Sequence, residues 1–221
     1  MREVEVGISP DVIHDGAIDP FSLGDEIACG LVLEIVEIDA VSHSMPLELT
    51  LIPDLRTDFS YGGNYRFVAR IRHLSQDDPS EVALELPGVI AGSRLPKLDC
   101  GTVVAGVGHL ECNPWEWLDQ AFPEAILRGT VLSITAVSAM CGSDDSTSRT
   151  PGLDPRRFWT RATHPLWDTA ILNQVTRVGD ICDFPTAWDG KSPPSEPTWI
   201  SEQQRYQSYI LKVDVIQGNS S

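Results

Sequence analysis

Short two-residue alternations of apolar and polar side chains recur along this chain and constrain its fold more than any other feature. Leu47, Leu49 and Leu51 alternate with Glu48 and Thr50, and Val82, Leu84 and Leu86 with Ala83 and Glu85. Tyr209, Leu211, Val213 and Val215 alternate with Ile210, Lys212, Asp214 and Ile216. In Tyr65–His73 the residues Tyr65, Phe67, Ala69, Ile71 and His73 alternate with Arg66, Val68, Arg70 and Arg72. A period of two sends successive side chains to opposite faces of a strand, so each run predicts a strand with one buried face. Leu31–Ile38 and Thr102–Val107 are more continuously apolar and suit central strands buried on both faces. Gly24-Asp25, Gly101-Thr102, Gly129-Thr130 and Gly179-Asp180 stand before apolar runs and predict turn-to-strand junctions.

Helical signals are few. Asn113-Pro114-Trp115-Glu116 combines a capping residue, proline at the first helical position and glutamate at the third, predicting a helix that ends near Phe122. Asp154-Pro155 repeats the start signal more briefly, and Leu166–Val175 fits helix or strand equally. The pattern predicts a mainly β fold, a partly closed barrel or sandwich of about 8–10 short strands with two or three short helices. The 221 residues suit one compact β-rich domain over 1–221. The Asn113 segment is where a subdivision would fall, although no linker composition marks it.

Charge is the second constraint. The chain carries 16 Lys+Arg and 32 Asp+Glu, a net charge of −16. Residues 1–60 hold 13 acids and 2 bases, so −11 of that excess lies there. Nucleic acids and anionic membranes select basic surfaces, so neither is an expected partner. The acids expected to matter are Asp11, Asp15, Asp19, Asp25, Glu26, Asp54 and Asp58, on a surface that attracts a basic protein. Solubility alone also explains surface acids of this kind. On the Tyr65–His73 strand Arg66, Arg70 and Arg72 share a face. They would neutralise neighbouring acids, with Glu34, Glu37, Glu48 and Glu85 the expected partners, or clamp an anion. Trp188 and Trp199 flank the proline-rich stretch Asp183–Pro197, where they would pin the loop or act as contact residues.

Sites of chemistry are sparse. His109, Glu111 and Cys112 fall within four residues, but a zinc site would need further ligands from elsewhere. There is no G-x-S-x-G, no phosphate-binding glycine loop and no calcium loop, so no cofactor or metal is expected. Five scattered cysteines without a CxxC pair read as reduced thiols buried in a cytoplasmic protein, since the N-terminus has no export signal and no apolar run reaches the length of a span. Three functions stay open. The first is a non-enzymatic cytoplasmic β-domain that binds another protein through an acidic surface, such as an inhibitor or immunity-type protein for a basic partner. The second is a small-ligand-binding or hydrolytic β-barrel with its site near His109, Glu111 and the Arg66/Arg70/Arg72 face. The third is a structural subunit that assembles with its own copies.

Overall fold

A computed structural model describes residues 2–8, 21–40, 45–52, 63–76, 78, 80–95, 98–112, 122–143, 163–178 and 205–216. These are mainly β. The strands are β1 (Arg2–Ile8), β2 (Glu26–Ala40), β3 (Glu48–Leu51), β4 (Asn64–Leu74), β5 (Glu81–Leu86), β6 (Val89–Arg94), β7 (Val103–Cys112), β8 (Ile126–Ser143), β9 (Thr163–Val175) and β10 (Arg205–Val215). Leu166–Val175 is therefore strand. Among the described residues there is no helix. The expected helix from Asn113 and the one at Asp154 fall outside them, and Phe122 lies in an irregular stretch just before a turn.

The alternation translates directly into burial. Tyr65, Phe67, Ala69 and Ile71 are buried while Arg66, Arg70 and Arg72 are exposed. Tyr209, Leu211, Val213 and Val215 face inward on β10. Together with Val4, Val6, Ile8, Leu31, Leu33 and Leu110 they belong to one hydrophobic cluster. Removing such apolar surface from water is the main force holding the strands together. Burial on both faces of the Leu31 run is confined to Leu31, Val32 and Leu33, where Val32 joins a smaller cluster with Ala83, Phe122 and Ala125.

Where the period breaks, a bulge explains it. His73 is exposed rather than buried, because the β4–β5 register shifts between Ile71 and His73 and reverses the phase of the strand. A second shift, between Ile35 and Glu37, sets Val36 apart from the β2–β7 ladder. Tight turns use glycine as expected. Gly24 and Gly101 adopt φ of 88° and 85° before β2 and β7, and Pro87-Gly88, with φ of 83° at the glycine, joins β5 to β6. Gly129 differs from expectation. It lies inside β8, where a Cβ would come within 2.4 Å of the Asp214 carbonyl oxygen, so close strand approach and not a turn requires it. Gly179 lies outside the described residues.

The sheet order is β3-β4-β5-β6-β2-β7-β1-β10-β8-β9, and it returns on itself through two further pairings, β4–β7 and β2–β8. The ladders thus form two five-strand cycles that share the β2–β7 pair. The returns require β1 and β4 to meet on the same side of β7. Asn64–Arg70 pair with Val103–His109, and Gly7 and Ile8 with Glu111 and Cys112. At this junction the Tyr65 hydroxyl accepts the Glu5 N–H at 2.6 Å and donates to the Glu5 carbonyl at 3.2 Å. A side chain here replaces a missing ladder. Tyr65→Phe is expected to leave both backbone groups unpaired and to cost about 1–3 kcal/mol, read as a lower urea midpoint with an unchanged m-value.

Candidate functional site

Cross-strand pairing builds three rows over the outer face of β3, β4, β7 and β2. Glu48 is opposite Val68, Val68 opposite Ala105, and Ala105 opposite Asp39. Thr50 is opposite Arg66, Arg66 opposite Val107, and Val107 opposite Glu37. Asn64 is opposite His109, and His109 opposite Glu34. Directly paired residues of antiparallel strands share a face. The bulge at Val36 is what aligns the acids. It keeps Ile38 on the inner side and brings Glu37 and Asp39 out beside Glu34. Glu34, Glu37, Asp39 and Glu48 are all exposed.

The arginines only partly offset them. Arg70 pairs with Glu85 at 3.5 Å, a solvent-exposed contact of small energetic weight. Arg66 and Arg72 form no ion pair among the described residues. The expected pairing of the arginine strand with Glu34, Glu37 and Glu48 is thus corrected. β7 stands between β4 and β2, so Arg66 and Glu37 are two strand spacings apart, about 10 Å. Glu48 instead accepts a 2.7 Å hydrogen bond from the Thr50 hydroxyl. Elsewhere Glu81 pairs with Arg94 at 3.1 Å, Glu3 with Lys212, and Glu124 with His73. The hydrogen bond from Lys212 to Glu3 raises the Lys212 pKa, and hydrogen bonds from Ser80 hold Asp78 below the usual carboxylate range.

His109 and Glu111 lie on the same side of β7, their side chains 12% and 18% exposed, with Nε2 and Oε2 3.7 Å apart. That separation exceeds a hydrogen bond, and the buried His109 Nδ1 has no hydrogen-bond partner among the described residues. Cys112 points to the opposite, inner side and is fully buried. No group of three or more His, Cys, Asp or Glu among the described residues is placed to hold a metal ion, and no described helix is long and apolar enough to cross a membrane.

The other expected site residues divide. Asp25 is exposed, and its carboxylate accepts the Ser22 N–H at 2.7 Å, closing the turn before β2. Glu26 is exposed opposite Thr130. Asp11, Asp15, Asp19, Asp54, Asp58, Trp188 and Trp199 lie outside the described residues. Asp39 was not expected at the site, because only the bulge reveals its phase. A contact between Cys29 and Cys112 was not expected either. The neighbouring Cys29 thiol, together with burial, pushes the Cys112 thiol well above its ordinary range. A thiol whose pKa is raised on folding contributes stability below the unfolded thiol pKa, which is lost as pH rises through the folded value. Stability is therefore expected to fall above about pH 8.5, and less steeply in Cys112→Ala, as urea midpoints across alkaline pH would show. Comparison of the chain with known protein families, with curated proteins and with solved structures finds no match.

Proposed function

We propose that this protein binds a basic protein partner through the acidic outer face of β2 and β3, without chemistry of its own. The observation that carries this reading is the alignment of Glu34, Glu37 and Asp39, all exposed, along one side of β2, with exposed Glu48 on β3 beyond them. Within the three rows described above, four carboxylates stand against Arg66, −4 + 1 = −3. Glu34, Glu37 and Asp39 are opposite His109, Val107 and Ala105, so neighbours among them lie about 7 Å apart, within the Debye length of about 8 Å at physiological salt, and their fields add. Such a patch repels itself and is relieved by an opposite charge. Its offset is only partial within the fold, which favours a partner over solubility alone as its role. A masking role, such as inhibition of a basic enzyme, fits this chemistry.

The returning pairings β4–β7 and β2–β8, and the close strand approaches at Gly106, Gly108 and Gly129, support a partly closed barrel as the scaffold. The interleaving of β1 with β10 and of β2 with β8 supports one compact unit across residue 113. The free thiols of the described cysteines, Cys29, Cys100 and Cys112, support a cytoplasmic location. The test is affinity capture at low salt, identification of the retained protein, and binding of the two purified proteins over a salt series. A basic partner whose affinity falls as salt rises is expected. Retention of further copies of this chain alone, or binding indifferent to salt, overturns the reading.

A further inference from the structure

We propose that His109 and Glu111 form a binding site for a divalent transition metal ion, and that zinc is the ion it fits. The two residues are two positions apart on β7 and turn to the same outer side, with His109 Nε2 and Glu111 Oε2 3.7 Å apart. That separation is too long for a hydrogen bond but close to the bite of a metal. With Zn–N and Zn–O bonds of about 2.05 and 2.1 Å, a tetrahedral ion spans an N···O distance of about 3.4 Å, so a shift of about 0.3 Å closes the difference. Both side chains are largely buried, so little rotamer freedom is left to lose when an ion binds. Among the described residues Nδ1 is buried without a partner and Nε2 has only the distant carboxylate, so an ion on Nε2 gives the ring a polar partner.

The surroundings are negative and leave room. Glu111 is flanked by Val32 on β2 and by Gly7 on β1, and among the described residues no lysine or arginine pairs with it. Lys212 is taken by Glu3, and Arg66 stands beside Val107, two residues before His109. A Cβ on Gly7 would meet only the Leu110 carbonyl oxygen among described atoms, at 3.7 Å, so the ground beside Glu111 is open to an ion and its water ligands. As the side chains stand, no three such ligands converge among the described residues. Glu34 supplies the third by turning. It is exposed and directly opposite His109, and the Cβ atoms of such a pair lie about 4.5–5.5 Å apart, within reach of the imidazole for a glutamate side chain. One imidazole and two carboxylates with water in the fourth position suit zinc, whereas magnesium and calcium take oxygen ligands. The site does not depend on a basic partner, although it shares Glu34 with the acidic face.

The test is zinc binding by the whole chain carrying Cys100→Ser, which removes an exposed thiol that would compete. The protein is dialysed against zinc chloride, bound zinc is counted, and the histidine side-chain NMR signals are recorded, those of His109 being the ones missing from His109→Gln. Bound zinc that shifts the His109 signals, and that excess magnesium does not displace, is expected. Tm is expected to rise with zinc concentration. Glu111→Gln, nearly identical in shape, is expected to lose both the zinc at His109 and the rise, and Glu34→Gln to weaken binding by at least about tenfold. Zinc bound at His109 equally well by Glu111→Gln, zinc that shifts only other histidines, or no zinc retained overturns the proposal. Unchanged affinity in Glu34→Gln overturns the third ligand. The spectra of the protein with His109 and Glu111 intact decide this whether or not either variant folds.

Discussion

Gly106→Ala is expected to abolish cooperative folding. A Cβ at this position would lie 2.0 Å from the Glu37 carbonyl oxygen, 3.0 Å from its carbonyl carbon and 3.2 Å from Ile38 Cα. All three are backbone atoms, so no side chain can swing aside. The strands themselves must separate, and they are β2 and β7, the pair shared by both cycles of the sheet. Overpacking against side chains that yield costs about 1–3 kcal/mol, and a backbone collision costs more. Against a total stability of about 5–15 kcal/mol, that removes most of the margin. Gly7→Ala is the control. Its added methyl meets only the Leu110 carbonyl oxygen at 3.7 Å, ordinary contact, and its expected effect is within about 0.5 kcal/mol. Circular dichroism melts of both variants check this, and a normal melt for Gly106→Ala would mean that the strands are not so close.

The second large effect is on association. Glu34→Lys, Glu37→Lys and Asp39→Lys together are expected to slow binding to a basic partner by roughly 10–1,000-fold at low salt, the range over which electrostatic steering acts. Folding should survive, because all three side chains are exposed and the change relieves repulsion among them. A fall in Tm of more than a few degrees would instead show that these carboxylates make interactions within the fold. The matching change on β4, Arg66→Glu, is expected to accelerate association, since Arg66 is the one cation in the rows that hold the acids.

Much of this fold was legible in the sequence because the period of two is a direct record of burial. The β4, β5 and β10 runs appear where the alternation places them. What could not be read was phase across a bulge. Val36 and His73 look like ordinary members of their runs, and only the ladder shows that an extra residue reverses the facing of Glu37, Asp39 and His73. Pairing was hidden for a related reason. That β7 would stand between β4 and β2 depends on contacts between residues more than thirty positions apart, which leave no local pattern. The Tyr65 hydroxyl shows the same limit, as an inward tyrosine in an alternating strand reads as core, and its bonds to Glu5 depend on where β1 docks. The acidic face was therefore visible as composition but not as geometry. The concentration of charge in residues 1–60 pointed to it, and the alternation along β7 put His109 and Glu111 on one side, where they lie 3.7 Å apart.

The central claim is that the carboxylates of β2 and β3 draw in a basic protein. It is tested most directly by stopped-flow association rates for the purified partner with the wild-type protein and the Glu34/Glu37/Asp39 lysine variant, each measured over rising ionic strength. The wild-type rate should fall steeply with salt and converge on the variant's slower and flatter rate once the Debye length shrinks to about 3 Å near 1 M salt. Equal rates for the two proteins at low salt, or a wild-type rate that salt does not change, would contradict it.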